Sequence, residues 1–329
     1  MVGAGSSALV EYPLWGELIN KLGEMFAPDL PEPASDNILT HSDQIKENIV
    51  RSGRTSEYYK YLDRIFGPHE DRENYTDFHC ALIKLGFCGL VTTNYDKVLE
   101  HAAGAANGGT NYRICESIDL CDKDKRYRVF KFLRSLSPEN PYTSVLHLHG
   151  CHDNPQEIIL TERDYFEKYG MKTHEEDSPP GPGRILDSFH RKVIWSLLVT
   201  HPHVFVGFSM NDPFFTDLLK IVRHDFSLDG DNVHFAIMGY SDSDERKQTA
   251  NRLKSKGIQP VFYHTPKYRN GIVDHRGLQN MIFELQNILK KEPHKPKEPK
   301  TERIGKVQIL DKADLPSLDE VNKKTLRLY

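Results

Sequence analysis

The sequence lacks the features that mark membrane, secreted and disulfide-rich proteins. No stretch approaches the roughly 20 apolar residues that a membrane-spanning helix needs, and the N-terminus has neither the charged nor the apolar region of a signal peptide. The five cysteines never form a C-x-x-C pair, which argues against a disulfide framework and against a four-thiolate zinc site. These absences predict a cytoplasmic protein with no membrane partner.

An excess of charge of one sign is also missing. The 329 residues include 43 Lys and Arg against 47 Asp and Glu, which gives a formal net charge of -4. Proteins that bind nucleic acid usually show a basic face or stripe, so direct binding of nucleic acid is not expected. The apolar content of 38% is ordinary for a globular protein.

What the sequence does contain is an alternation of strand-like and helical segments. Short apolar runs that end in turn residues predict strands at 89–92, 145–148, 158–160, 204–206, 233–238 and 260–263. Apolar residues at helical spacing predict helices at 14–26, 185–198, 214–222, 244–256 and 278–289. Such alternation is typical of βα units. It predicts an α/β fold with a Rossmann-like, doubly wound, mainly parallel sheet.

Three segments interrupt this alternation. A helical insert is predicted at about 27–86, with residues 42–86 helical throughout, and weak periodicity predicts a long loop at about 104–143. The segment KKEPHKPKEPK has the composition of an extended linker. We therefore predict one domain over residues 1–290, followed by a C-terminal linker and arm over 291–329.

Four polar turns follow apolar runs or open the chain: GAGSS at 3–7, TTNYD at 92–96, HLHG at 147–150 and VGFSMNDP at 206–213. The carboxyl ends of strands are where open α/β sheets bind ligands, because the loops converge there and helix N-termini present N–H groups. Together these turns predict a nucleotide pocket.

The first turn fits the loose pattern G-x-G-x-x-A. Its glycines would let the backbone approach a phosphate, and Ser6 and Ser7 could donate hydrogen bonds. A Rossmann dehydrogenase should also have an acidic residue at the end of a second strand about 20 residues on. Here that region is helical and then proline-rich, which weakens a hydride-transfer interpretation. A plain tight turn remains the alternative.

The second and third turns supply an amide, a carboxylate and two imidazoles. Asn94 and Asp96 lie at a strand tip, and Asp96 could instead be a simple helix cap. The period of two in a strand puts His147 and His149 on one face. Either could be a general base, because an imidazole titrates near neutral pH, or a hydrogen-bonded core histidine. The cluster HLHGCH also admits a metal site. In the fourth turn, Ser209 and Asn211 suit contacts to ribose.

In this order the four turns resemble those of the sirtuin family, in which GAG-x-S, T-x-N-x-D, H-G and G-x-S motifs build an NAD pocket. The resemblance covers residues 3–213. The chain looks most similar to the sirtuin-like NADases of bacterial anti-phage defence, which share the TTNYD and LHG forms. They also share an L-T-x-x-D-Y segment, here LTERDY at 160–165.

The resemblance implies roles for individual residues. It makes Asn94 and His149 the catalytic pair. It assigns the phosphates and the nicotinamide end of NAD to Gly3, Ala4, Gly5, Ser6 and Asp96. Gly207 and Ser209 would lie on the adenosine side, and Trp15, in the proline-x-aromatic element PLW, would cover the nicotinamide ribose.

Three departures from the family pattern argue against acyl-lysine chemistry. The cysteine pairs of the zinc ribbon are missing, so no zinc is expected. Thr93 stands where a glutamine is usual before the asparagine, and Gly16 stands where an arginine is usual.

We therefore predict an NAD glycohydrolase that takes NAD as its substrate and acts as a gated effector in anti-phage defence. The resemblance also implies a homo-oligomer and a separate ATPase partner of the HerA type. Three alternatives remain: a protein deacylase, a non-catalytic subunit that binds NAD or ADP-ribose, and a nucleic-acid-cleaving subunit that uses the histidine cluster.

Overall fold

The computed structural model describes residues 1–31, 38–71, 73–106, 115–137, 144–170, 188–210, 212–228, 231–266 and 274–291. These residues form twelve α-helices and six strands. The helices are α1 (Ala4–Ser7), α2 (Trp15–Phe26), α3 (Ile38–Arg51), α4 (Thr55–Phe66), α5 (Asp77–Ile83), α6 (Val98–Ala106), α7 (Arg126–Ser135), α8 (Glu162–Tyr169), α9 (Phe189–Thr200), α10 (Pro213–Asp225), α11 (Ser243–Lys254) and α12 (Arg276–Lys291). The strands are β1 (Leu90–Thr92), β2 (Glu116–Asp119), β3 (Ser144–His147), β4 (Val204–Val206), β5 (His234–Tyr240) and β6 (Ile258–His264).

All pairings between the six strands are parallel. One group of three has the order β1-β3-β2 and the other has the order β4-β5-β6. The backbone at Val2 bridges the two groups, because it pairs in parallel with both Thr92 and Val206. The resulting order is β2-β3-β1, then Val2, then β4-β5-β6. The predicted α/β fold with a Rossmann-like, mainly parallel sheet is confirmed.

Successive strand residues enter different hydrophobic clusters, as the period of two requires. Leu146 and Phe205 belong to a cluster with residues of α7, α9 and α10. Their neighbours Val145 and Val206 belong to a second cluster with residues of α5, α6 and α12. The short central strands are therefore buried on both faces, which is why they consist of continuous apolar runs.

The helices α2, α3 and α4 pack around a third cluster. Leu18, Ile45 and Leu62, one from each helix, are almost completely buried in it. Tyr95, in the turn after β1, belongs to the same cluster. The helical insert is therefore packed directly against the segment that carries Asn94.

Three details of the predicted elements are wrong. Residues 158–160 are not a strand although they are apolar and buried, because they lie in an irregular loop. The predicted long loop at 104–143 contains β2 and α7. The sequence pattern did not indicate β2 and α7, because only Ile118 of β2 and two residues of α7 are buried. Residues 67–71 and 73–76, between α4 and α5, are not helical.

Residues Met1–Ile288 form one compact unit. The predicted linker and arm at 291–329 lie almost wholly outside the described residues, so the domain boundaries stay a prediction. Within the described ranges, none of the helices combines the length and the apolar content needed to cross a membrane.

Candidate functional site

The carboxyl ends of β1 and β3 lie side by side at one edge of the sheet. Thr92 pairs with His147 in the parallel register, and Asn94 and His149 each follow two residues later. The backbones stay together beyond the strands, since the N–H of Leu148 donates to the carbonyl of Thr92 at 2.8 Å. Asn94 and His149 therefore leave neighbouring strand ends on the same edge.

The turn at residues 3–7 packs backbone against backbone with the turn after β4. The N–H of Gly3 donates to the carbonyl of Val206 at 2.9 Å, and the N–H of Gly5 donates to the carbonyl of Gly207 at 3.0 Å. A Cβ on Gly3 would lie 2.6 Å from the Gly207 oxygen, and a Cβ on Gly207 would lie 2.6 Å from the Ser6 nitrogen. Packing between the two turns therefore accounts for these glycines.

Ser6 uses its donors within its own turn. Its N–H and its hydroxyl both donate to the Gly3 carbonyl, at 3.0 and 2.9 Å, and its side chain is fully buried. The Ser6 hydroxyl thus donates within its own turn, and its expected contact with a phosphate stays a prediction. This hydrogen bond from the Ser6 hydroxyl to the Gly3 carbonyl helps to close the glycine-rich turn.

His79 of α5 holds this turn from behind. Its Nδ1 accepts the N–H of Thr76 at 3.0 Å, which leaves the ring proton on Nε2, and Nε2 donates to the Ser6 carbonyl at 3.1 Å. Burial lowers the pKa of His79 to about 4. The imidazole is therefore neutral at pH 7 and acts as a fixed donor.

Ser7 joins the first and second turns. The Nδ2 of Asn94 donates to the Ser7 hydroxyl at 2.8 Å, and this hydroxyl donates to Oδ1 of Asp96 at 3.1 Å. The same oxygen accepts the N–H of Val98 at the start of α6, at 3.1 Å. Asp96 therefore does cap a helix, and it also fixes the direction in which the Asn94 amide points.

This orientation leaves the other end of the amide without a partner. Asn94 is only 7% exposed, and its Oδ1 makes no hydrogen bond to any described residue. Leaving a buried acceptor unpaired costs about 1–3 kcal/mol, and such atoms call for a specific explanation in native proteins. Oδ1 of Asn94 is placed to accept a hydrogen bond from a hydroxyl group or a water molecule.

His149 is buried among aromatic side chains and one carboxylate. Its Nε2 lies 3.0 Å from the hydroxyl of Tyr169 and 3.6 Å from Oδ2 of Asp212. The Tyr165 hydroxyl donates to the same Asp212 oxygen at 3.2 Å. Burial lowers the pKa of His149, against the opposing effect of Asp212. The imidazole is neutral at pH 7 and can accept a proton.

The LTERDY segment builds this environment. Thr161 caps α8 by accepting the N–H of Asp164 at 3.3 Å, and Asp164 accepts the N–H of Thr161 at 3.0 Å, which is a capping box. Lys46 of α3 forms an ion pair with Asp164 at 2.6 Å. The helical insert therefore anchors the helix that presents Tyr165 and Tyr169 to His149.

His147 points into the protein. It is completely buried, with Nδ1 at 2.9 Å from the backbone oxygen of Asn94 and Nε2 at 2.7 Å from Oε1 of Glu100. Of the two interpretations of this residue, the hydrogen-bonded core histidine is the one that the structure shows.

The remaining predicted residues are less closely connected to Asn94 and His149. Gly207 and Ser209 lie at the end of β4, beside the first turn, and Ser209 is exposed. Asn211 lies outside the described residues. Trp15 opens α2 and packs against the cluster of the helical insert, and none of the described contacts links it to the Asn94 and His149 side chains.

Among the described residues, Cys151, His152 and Asp153 form a group whose ligand atoms lie within 4.8 Å of one another. Asp153 is already paired with Lys97, and burial raises the pKa of the Cys151 thiol to about 12. His147 and His149 do not belong to this group. The expectation that no metal is needed stays a prediction.

A surface groove of about 480 Å³ lies between α4 and the loop after β3. Its lining includes Thr55, Tyr59, Asp63 and Asp153, and none of the predicted site residues takes part in it. Its walls are side chains of the helical insert and of the loop, both polar and apolar. The groove is therefore a feature separate from the candidate site.

Sequence reasoning did not select Asp212, Tyr169 or Glu100. Asp212 precedes Pro213 and caps α10, since the N–H of Phe215 donates to its Oδ1 at 3.0 Å. Its other oxygen faces His149, which a helix-cap pattern alone does not reveal. The spacing of four between Tyr165 and Tyr169 places both on one helix face, and this was the available signal for Tyr169.

Comparisons with known proteins agree with the motifs. A family model described as a SIR2-like domain matches residues 89–261, from β1 into β6, and this range includes Asn94 and His149. The protein named NAD(+) hydrolase ThsA from Bacillus cereus (strain MSX-D12) is 26% identical over 227 residues, which cover 69% of this chain and 40% of ThsA. The chain thus spans about two fifths of the length of that relative.

Proposed function

The chain belongs to the SIR2-like domain family, whose model matches more than half of it, and from this we propose that it hydrolyses NAD to nicotinamide and ADP-ribose. One observation carries the proposal. A buried amide with an unpaired oxygen and a buried neutral imidazole leave neighbouring strand ends. The name of the relative ThsA, an NAD(+) hydrolase, supports the same activity.

Cleavage of NAD needs only a few protein groups, such as the amide and the imidazole described above. Nicotinamide leaves from a pyridinium cation, so it departs as a neutral molecule and needs no proton, unlike the alkoxide of an ordinary glycoside. The protein has to stabilise an oxocarbenium-like ribose and to deliver water to it. An amide acceptor and a general base are sufficient for these two tasks.

In the proposed reaction the bond between C1′ of ribose and the pyridinium nitrogen breaks, and both electrons go to the nitrogen. A water oxygen bonds to C1′, and the proton that it loses passes to His149. Oδ1 of Asn94 accepts a hydrogen bond from a ribose hydroxyl or from the water and so fixes its position. General base catalysis of this kind contributes about 10²- to 10⁴-fold.

The rest of the dinucleotide is assigned to the carboxyl edge between β1 and β4. Gly3, Ala4 and Gly5 bring backbone rather than bulky side chains to this edge, which allows close approach of the pyrophosphate. Gly207 and Ser209 are assigned to the adenosine side. Asp96 contributes through Ser7 to the orientation of the Asn94 amide.

The first test is nicotinamide release from NAD by purified protein. Because Asn94→Ala removes the unpaired acceptor and His149→Ala removes the base, each variant should reduce the rate about 10²-fold or more. His152→Asn is a matched control, since this buried histidine lies three residues after His149 and pairs with Asp63. The control should keep the wild-type rate.

The outcomes separate the alternatives. Wild-type rates in both Asn94→Ala and His149→Ala would refute the assignment. Release of nicotinamide only in the presence of an acylated peptide would identify a deacylase. Binding of NAD without turnover, measured by calorimetry, would identify a non-catalytic subunit.

The biological role is a further part of the proposal. An unrestrained NADase would deplete its host, so activity gated by assembly or by a partner is expected. The resemblance to sirtuin-like NADases of anti-phage defence supports an effector that forms a homo-oligomer, with a HerA-type ATPase as partner. Protection of cells against phage, lost in His149→Ala, would test this role.

A further inference from the structure

His147 and Glu100 form a buried pair behind Asn94. Nδ1 of His147 faces the backbone oxygen of Asn94 at 2.9 Å, and Nε2 faces Oε1 of Glu100 at 2.7 Å. The backbone oxygen of Asn94 can only accept a hydrogen bond, and the same holds for the Glu100 oxygen in the ionised carboxylate, the form that its lowered pKa favours. A neutral imidazole has a single N–H, so beside the ionised Glu100 the two contacts together require an imidazolium that donates from both nitrogens.

Resting on the proposed function, we infer that Glu100 and His147 are positioning residues for Asn94. The carboxylate of Glu100 keeps the imidazolium in place, and the imidazolium fixes the backbone carbonyl of the residue whose side chain contacts the ribose. Neither Glu100 nor His147 touches the reacting atoms in this arrangement. They act through the backbone of Asn94.

Three hydrogen bonds hold Asn94 from different directions. Its N–H donates to the Thr92 hydroxyl at 3.0 Å, its carbonyl accepts from His147, and its amide donates to Ser7 at 2.8 Å. The contact from His147 is the only one of these three that carries a charge. Hydrogen bonds with an ionised donor are roughly twice as strong as neutral ones.

The surroundings of His147 favour the charged form. Carboxylates act on it from four elements: Glu100 on α6, Asp96 in the turn after β1, Asp119 on β2 and Asp153 in the loop after β3. Although burial lowers it, the Glu100 carboxylate raises the pKa of His147 to about 9. In return the imidazolium lowers the pKa of Glu100 against the effect of burial.

Loss of this proton has a defined structural result. The remaining hydrogen stays on Nε2, because the carboxylate of Glu100 is the stronger acceptor. The lone pair of Nδ1 then faces the Asn94 carbonyl, which repels it. Asn94 loses one of its three anchors, and its side chain no longer holds the ribose or the water in a single position.

The pH profile of kcat for nicotinamide release tests this inference. Wild-type kcat should fall about tenfold per pH unit once the pH exceeds the pKa of His147, about 9, with little change in KM. Glu100→Gln removes the charge that holds the proton, so His147 is already neutral in this range. The kcat of this variant should therefore be flat between about pH 8 and 10.

His203→Asn is the matched control. His203 is also buried, and its Nδ1 donates to a backbone carbonyl, that of His201, at 2.9 Å. It lies at the amino end of β4, and burial lowers its pKa to about 3. This variant should keep the alkaline fall of the wild type. An unchanged alkaline fall in Glu100→Gln, or its absence in the wild type, would overturn the inference.

A titration followed by NMR separates this inference from the proposed function. In the wild type, His147 should carry protons on both nitrogens at pH 7, and the side-chain amide signal of Asn94 should shift with its deprotonation near pH 9. This requires neither turnover nor a folded variant. An Asn94 signal that does not follow His147 refutes the inference. A coupled titration in a protein that releases no nicotinamide, even with its assembly partner present, refutes only the proposed function.

Discussion

At the scale of single residues, Ser7 connects the groups on which the candidate site depends. Its hydroxyl accepts from Asn94 and donates to Asp96. Ser7→Ala leaves the amide and the carboxylate each without this partner, at a cost of about 1–3 kcal/mol. Because the amide can then rotate, kcat for nicotinamide release should fall about tenfold or more.

The matched control for Ser7 is Ser42→Ala. Ser42 is also buried and donates to a backbone carbonyl, that of Leu39, at 2.6 Å, but it lies in the helical insert. This control should lower the free energy of unfolding and leave kcat unchanged. If both variants retain the wild-type kcat, Ser7 does not orient Asn94.

The residues of the candidate site differ in whether the sequence alone could predict them. Asn94 and His149 could be selected because their motifs end neighbouring strands, and a strand end is defined by local pattern. The different hydrogen-bond partners of Ser6 and Ser7 could not be predicted from the sequence. The two residues are adjacent in the chain, and only the folded turn decides which partner each hydroxyl has. The Asp212 oxygen that faces His149 depends on packing between elements distant in sequence.

At the scale of elements, the turn at residues 3–7 and the turn after β4 are fitted to each other. Gly207 has a φ of 61°, a conformation that costs an alanine about 1–2 kcal/mol. In addition, a Cβ there would lie 2.6 Å from the backbone nitrogen of Ser6. Gly207→Ala should therefore displace the first turn and reduce both stability and nicotinamide release.

Gly53→Ala isolates the conformational part of this effect. Gly53 has a φ of 69°, and a Cβ there would meet nothing within 4 Å. Urea unfolding should show a loss for Gly207→Ala that exceeds that for Gly53→Ala by about 1–3 kcal/mol. Equal losses would mean that the two turns do not constrain each other.

The elements that the sequence predicted well are those with a strong apolar pattern. The central strands and the amphipathic helices belong to this class, because burial on one or both faces dictates their composition. β2 and α7 were not predicted, because β2 is an edge strand and each of the two elements buries few residues. Residues 158–160 were wrongly predicted as a strand, because a buried loop contains the same apolar residues as a buried strand.

At the scale of the whole molecule, buried histidines set the dependence of stability on pH. Burial lowers the pKa of His79 and His234 to about 4 and that of His190 and His203 to about 3. The unfolded chain binds these protons near pH 6.5. Stability should therefore fall as the pH drops below about 6.5, by up to about 1.4 kcal/mol per pH unit for each histidine.

His147 has the opposite effect. Its pKa of about 9 lies above the unfolded value, so its contribution is complete below pH 6.5 and is lost as the pH rises to about 9. Urea unfolding at about pH 5, 6.5 and 9 should give the highest free energy at the middle value. His224→Gln, at an exposed position, should leave this dependence unchanged. Equal stability at pH 5 and 6.5 would contradict the lowered pKa values of the four buried histidines. Equal stability at pH 6.5 and 9 would contradict the raised pKa of His147.

The bridge at Val2 has a consequence for the bound state. It joins one half of the sheet, which carries Asn94 and His149, to the other half, which carries Gly207 and Ser209. A dinucleotide in the proposed orientation would touch both halves across this seam. The bound substrate would then connect the two halves a second time, and its cleavage into two smaller molecules would remove that connection.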